Sequence, residues 1–121
     1  MKRSLDLFIK DILDSIKNIE IFMKNISKEH FLKNREKQNA VIREIEIVGE
    51  AVKNIPNSFR SKYPDIPWRD ISGIRDIITH GYFRIDLETV WKVIEDDLPD
   101  LKQKIKKIKK DLEKEEKDKK W

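Results

Sequence analysis

Apolar side chains recur at three- and four-residue steps over most of this chain, and that spacing predicts helices almost throughout. Leu5, Phe8, Ile9, Ile12, Ile16, Ile19 and Met23 are separated by Lys, Asp and Glu, which predicts one amphipathic helix from residue 4 to about residue 25. Ser27 is placed to cap a short turn through Phe31 and Leu32. Ala40, Val41, Ile45, Val48, Val52 and Ile55 then define a second long helix, which Pro56 ends. Gly49 lies inside that helix, where glycine costs about 1 kcal/mol relative to alanine, so its position predicts close approach by another helix.

The segment from Pro56 to Pro67 holds three of the four prolines and reads as a connector within one domain, with a helical turn around Phe59. A third helix is expected from about Pro67 to His80, stopping at Gly81. Asp86 reads as the next N-cap, opening a helix near Leu87 that carries Val90, Trp91 and Ile94. Pro99 is expected to restart the chain into a last helix through Leu101, Ile105, Ile108 and Leu112. No segment alternates as a strand does. The pattern therefore predicts an all-α fold, an antiparallel bundle of four to five helices spanning residues 1–112, with residues 113–121 as a charged, frayed tail.

Composition changes this picture in two places. The chain of 121 residues fits one domain, and a helical core this thin can be finished in an oligomer, so a single helical domain, alone or dimeric, is expected. The formal charge is +4, yet residues 102–121 alone hold ten Lys against five acids, +5, which leaves about −1 for the rest. The basic balance thus belongs to the tail and does not by itself mark a nucleic-acid face. A charged fraction of 41% with few glycines and prolines suits a helix-rich chain of the kind found in heat-adapted proteins. Without cysteine there are no disulfides or thiolate metal sites, and a cytoplasmic location is the simplest expectation. Asp6, Lys10 and Asp11 interrupt any export-signal core, and no run is long enough to span a membrane.

The densest chemistry lies in Ile74 to Phe83, where Arg75, His80 and Tyr82 form an Arg-x4-His-x-Tyr constellation. A guanidinium can hold a phosphate, an imidazole can move a proton, and a phenol can be modified. On a regular helix of about 100° per residue, Arg75 and Tyr82 share a face while His80 lies roughly 140° away, so a helix end at Gly81 is needed for convergence. Asp76, four residues before His80, would share its stripe and favour the charged imidazole, as would the helix dipole. Such a set could cleave RNA by attack of the 2′-hydroxyl, with one imidazole per chain, and a symmetric dimer would supply the second proton carrier. The ordinary alternative is a structural helix end, since Arg-x4-His alone recurs by chance. Glu50 is a candidate for orienting Arg75. The carboxylates Glu44, Glu46, Glu50, Asp96, Asp97 and Asp100 read as solvated faces, and no metal or other cofactor is assigned. Trp68 and Trp91 read as core rather than as base-stacking platforms.

The run from Ile66 to Trp91, with Glu95-Asp-Asp-Leu-Pro99 after it and Ile45 to Pro56 before it, closely resembles the HepT-like family of HEPN domains over roughly residues 5–112. That resemblance implies a dimeric helical bundle acting as a metal-independent endoribonuclease toxin, with the two motifs facing across the interface. It implies catalytic roles for Arg75 and His80 and a supporting one for Asp76, at a position where many members carry Asn. The implied partner is a minimal nucleotidyltransferase antitoxin that transfers AMP to Tyr82. A non-catalytic helical dimer that binds nucleotide, or serves as a scaffold for that partner, stays open as the alternative.

Overall fold

A computed structural model describes residues 4–80 and 84–118, the side chain of His80 excepted. Three long helices carry the fold: α1 (Leu5–Met23), α3 (Arg35–Lys53) and α8 (Leu98–Asp118). Between α1 and α3 lies the short α2 (Lys28–Lys33), capped by Ser27, whose hydroxyl accepts from the His30 amide. Lys37 stands over the Phe22 ring, and Asn18 donates to Glu44 at 2.7 Å. Those pairings run in opposite directions along the two helices, so α1 and α3 are antiparallel.

Ile9, Ile12, Ile16 and Ile19 meet Val41, Ile45, Val48 and Val52 in one continuous core, which Leu101, Ile105 and Ile108 of α8 complete. Glu44 is the charged side chain buried in it, and the Asn18 bond meets its need for a partner. The all-α expectation holds. No helix among the described residues is long and apolar enough to cross a membrane.

The connector is tied down by side-chain hydrogen bonds to its backbone and to α3. After the single turn α4 (Asn57–Arg60), Arg60 folds back and donates to the carbonyls of Ile55 (2.9 Å) and Val52 (2.6 Å), covering orphan acceptors at the end of α3. Trp68 is buried and donates its indole N–H to the carbonyls of Arg60 and Tyr63. These bonds fix where the next helix begins.

That helix differs from the expectation of one piece between Pro67 and His80. It is two short segments, α5 (Trp68–Ser72) and α6 (Ile74–Ile78), jointed at Gly73. Thr79 is extended, with φ −98° and ψ 127°. From there β1 (Thr79–His80) pairs antiparallel with β2 (Arg84–Ile85), in the register Thr79↔Ile85 and His80↔Arg84. The expectation that no strand forms is thus corrected at this two-residue ladder. Its physical source is Asp86: the backbone N–H donates to Ile78 O at 2.6 Å, while the carboxylate caps α7 (Leu87–Lys92) through the Thr89 amide and hydroxyl.

Pro99 does not restart the chain either. Val93–Asp97 forms a π turn that joins α7 to α8, in which the Leu98 N–H donates to Val93 O. A proline ring clashes with the carbonyl four residues earlier, and the wider turn before Pro99 gives that carbonyl room. The helix α8 continues past Leu112 to Asp118, with Glu113 through Asp118 all exposed.

Candidate active site

Gly49 sets the geometry here. A β-carbon at Gly49 would stand 3.2 Å from Ile71 O and 3.2 Å from Ile74 Cγ2, so its bare backbone lets the α5–α6 joint lie directly on α3. The close approach expected from the sequence is therefore present, and it brings the segment carrying Arg75 against α3. Ile74 and Ile78 point into the core. Arg75 is turned the other way, its side chain 78% exposed, with Nε 3.8 Å from Glu46 Oε2.

Glu46 and Arg75 together divide a trough along α3. On one side lie Arg43, Glu50, Lys53 and Ser72, around a space of about 300 Å³. On the other lie Asn39, Ile42, Ile78, Thr79 and Ile85, around about 370 Å³. The second half thus runs along β1 and β2, where the main chain of His80 sits. Arg75 belongs to both halves, and so does Glu46. Two apolar side chains stay uncovered near the motif, Ile77 at 47% and Ile85 at 37% exposure.

The profile of the ribonuclease HepT-like family matches residues 12–108. The chain belongs to that family. Among curated proteins it is similar to a probable ribonuclease HepT of Thermococcus cleftensis, 46% identical over 110 residues, 91% of this chain and the whole of that one. A protein of Methanocaldococcus jannaschii that carries a provisional name as an RNase is 42% identical over 112 residues, 93% of each chain. A second protein of that organism combines a gamma-glutamylcyclotransferase with a provisional RNase in its name. It is 42% identical over 114 residues, and the match covers 94% of this chain and 51% of that protein. No solved structure matches at a significant level.

Within this HepT-like fold the Arg-x4-His-x-Tyr residues do not ride on one regular helix. Because α6 ends at Ile78 and Thr79 is extended, Asp76 and His80 do not share a helical stripe, and His80 does not stand in the last turn of a helix, so neither reason for a charged imidazole is present. Asp76 is exposed, its amide bonded to Gly73 O. Tyr82 lies outside the described residues, as does the side chain of His80. Glu50 does not orient Arg75. It pairs with Lys53 at 3.3 Å, and Glu46, one turn earlier on α3, takes that place. Trp68 is core, as expected, and Trp91 packs half-buried against Phe31 with ring centroids 5.9 Å apart. Among the described residues no group of three or more His, Asp or Glu is placed to hold a metal ion.

Arg43 and Glu46 are the site residues that sequence reasoning missed. Their signal was present: positions 43, 46, 50 and 53 recur at helical spacing on one polar face of α3, beside the glycine that marks the helix contact.

Proposed function

We propose that this chain cleaves RNA as a metal-independent endoribonuclease, the toxin of a toxin–antitoxin pair, working in the cytoplasm as a homodimer. The observation that carries this reading is the exposed Arg75 guanidinium beside a trough that reaches Thr79, the residue before His80. Family membership supports RNA as the substrate.

In the proposed reaction the 2′-oxygen of a ribose loses its proton to an imidazole and attacks the adjacent phosphorus, while the departing 5′-oxygen gains a proton. Arg75 stabilises the charge that gathers on the non-bridging oxygens, an electrostatic role suited to a planar guanidinium that stays charged. Removal of one proton and delivery of another call for two carriers, and each chain offers one motif histidine, His80. A symmetric pair of chains brings both copies to one cleft. The uncovered Ile77 and Ile85 flank the motif and give such a contact an apolar component.

Control falls to Tyr82. A minimal nucleotidyltransferase antitoxin would join the phenolic oxygen to the α-phosphorus of ATP, releasing pyrophosphate and a proton. The added phosphodiester charge and adenosine bulk would keep RNA phosphate out of the cleft. Mass analysis of the peptide bearing Tyr82, after co-expression with a cognate minimal nucleotidyltransferase, should show one added AMP. An unchanged mass with toxicity still suppressed would remove this form of control.

Catalysis itself is tested with wild type and His80→Ala in chelator-containing buffer. Loss of the proton carrier should lower RNA cleavage by about 10²-fold or more and abolish growth arrest. Equal behaviour of the two proteins would sink the nuclease and leave the scaffold reading in its place.

A further inference from the structure

The half of the trough that lies away from β1 holds cations that the proposed cleavage step does not use. Arg43 and Lys53 stand on one face of α3, separated by roughly 15 Å along the helix at 1.5 Å per residue, and Arg75 reaches the same space from α6. Gly49 keeps the floor low between them. Two carboxylates share the space, and each already holds one cation: Glu46 faces Arg75 at 3.8 Å and Glu50 holds Lys53 at 3.3 Å. Arg43 is exposed and forms no ion pair with a described residue. The lining is therefore three cations against two carboxylates, with a free guanidinium at one end.

We propose that the space between Arg43 and Lys53 is a subsite for a phosphate neighbouring the scissile one in a single-stranded RNA, so that the strand runs along α3 and crosses Arg75. This rests on the ribonuclease reading and extends it to the path of the substrate. The pairs of Glu46 and Glu50 leave their cations Arg75 and Lys53 exposed, and pairs with an exposed cation are weak, so phosphate oxygens can take over the cations that the carboxylates hold in the free protein. A guanidinium presents paired N–H groups that match a phosphate, which makes Arg43 the anchor, while Lys53 contributes a point charge. The other half of the trough has a different character, with Ile42, Ile78 and Ile85 beside Arg75, and suits a base or ribose better than a phosphate. The two halves thus give the strand a polarity of contacts: backbone on the Arg43 side, nucleoside on the β1–β2 side.

Binding and cleavage are measured separately. The probe is a 2′-O-methylated oligouridylate on the order of ten nucleotides, the size range of single-strand sites, which cannot be cleaved by 2′-hydroxyl attack. Its affinity is followed by fluorescence anisotropy across a salt series for wild type, Arg43→Gln/Lys53→Gln and Lys107→Gln/Lys110→Gln. The last variant removes the same charge from exposed positions of α8.

The first double variant should bind about tenfold more weakly at low salt, with a salt slope smaller by about 0.7, the value for one lost single-strand phosphate contact. The α8 variant should match wild type in both. Loss of affinity within twofold for Arg43→Gln/Lys53→Gln, an equal loss for the α8 variant, or a wild type that does not bind would each overturn the subsite. A wild type that binds through Arg43 and Lys53 but leaves unmethylated RNA intact would overturn the nuclease reading and keep the subsite.

Discussion

Tyr63 and Asp111 tie the connector to the far part of α8 through a phenolic hydrogen bond of 2.8 Å. Burial first, then that bond and the nearby negative charges of Asp111 and Glu115, push the Tyr63 phenol up to about 12. The folded state therefore keeps a proton that the unfolded chain releases near the ordinary tyrosine value of about 10. Its contribution to stability is complete below that value and is lost as pH rises towards 12. Tyr63→Phe should accordingly cost about 1 kcal/mol in urea unfolding at neutral pH and show a flatter alkaline decline than wild type. At this scale the sequence was legible where chemistry alone decides, as with Ser27 and Asp86 at helix starts. It was not legible for Glu46 against Glu50, because four residues shift the helical direction by only about 40°, and which carboxylate meets Arg75 depends on how α6 crosses α3.

The elements divide in the same way. The helices α1, α3 and α8 follow their apolar stripes closely, since burying a stripe of Ile and Val leaves one choice of face. Gly49 was legible as a contact point for the same reason, and the contact is tight enough to test. Gly49→Val puts two methyl groups against Ile71 O and Ile74 and should destabilise the fold by about 1–3 kcal/mol, read from thermal or urea unfolding. RNA cleavage should fall further than stability explains, because the same displacement moves Arg75. The break at Gly73, the extended Thr79 and the π turn before Pro99 escaped the pattern. The extended Thr79 goes with the Asp86 to Ile78 bond across the ladder, which local spacing does not encode, whereas the π turn answers the ring of Pro99 and the break falls at a glycine.

For the molecule as a whole, charge and assembly matter more than any single contact. Residues 102–121 carry the +5 that dominates the net charge, and those of them that the structure describes do not line the trough. If the proposed site is completed across a two-fold axis, activity is a property of the pair. Serial dilution should lower specific activity steeply below the dissociation constant, in step with the monomer fraction seen by analytical ultracentrifugation, and a specific activity independent of concentration would oppose a shared site. The hydrogen bond from Asp86 to Ile78 adds a consequence for how the motif tolerates change. It pins together the two ends of the stretch that carries His80 and Tyr82, so the chain between them is a closed loop whose entropy the fold has already lost. Doubling the length of such a loop costs only about 0.6 kcal/mol, so insertions there would leave the bundle standing. The length of this loop is therefore a variable of the motif to which folding stability is nearly blind.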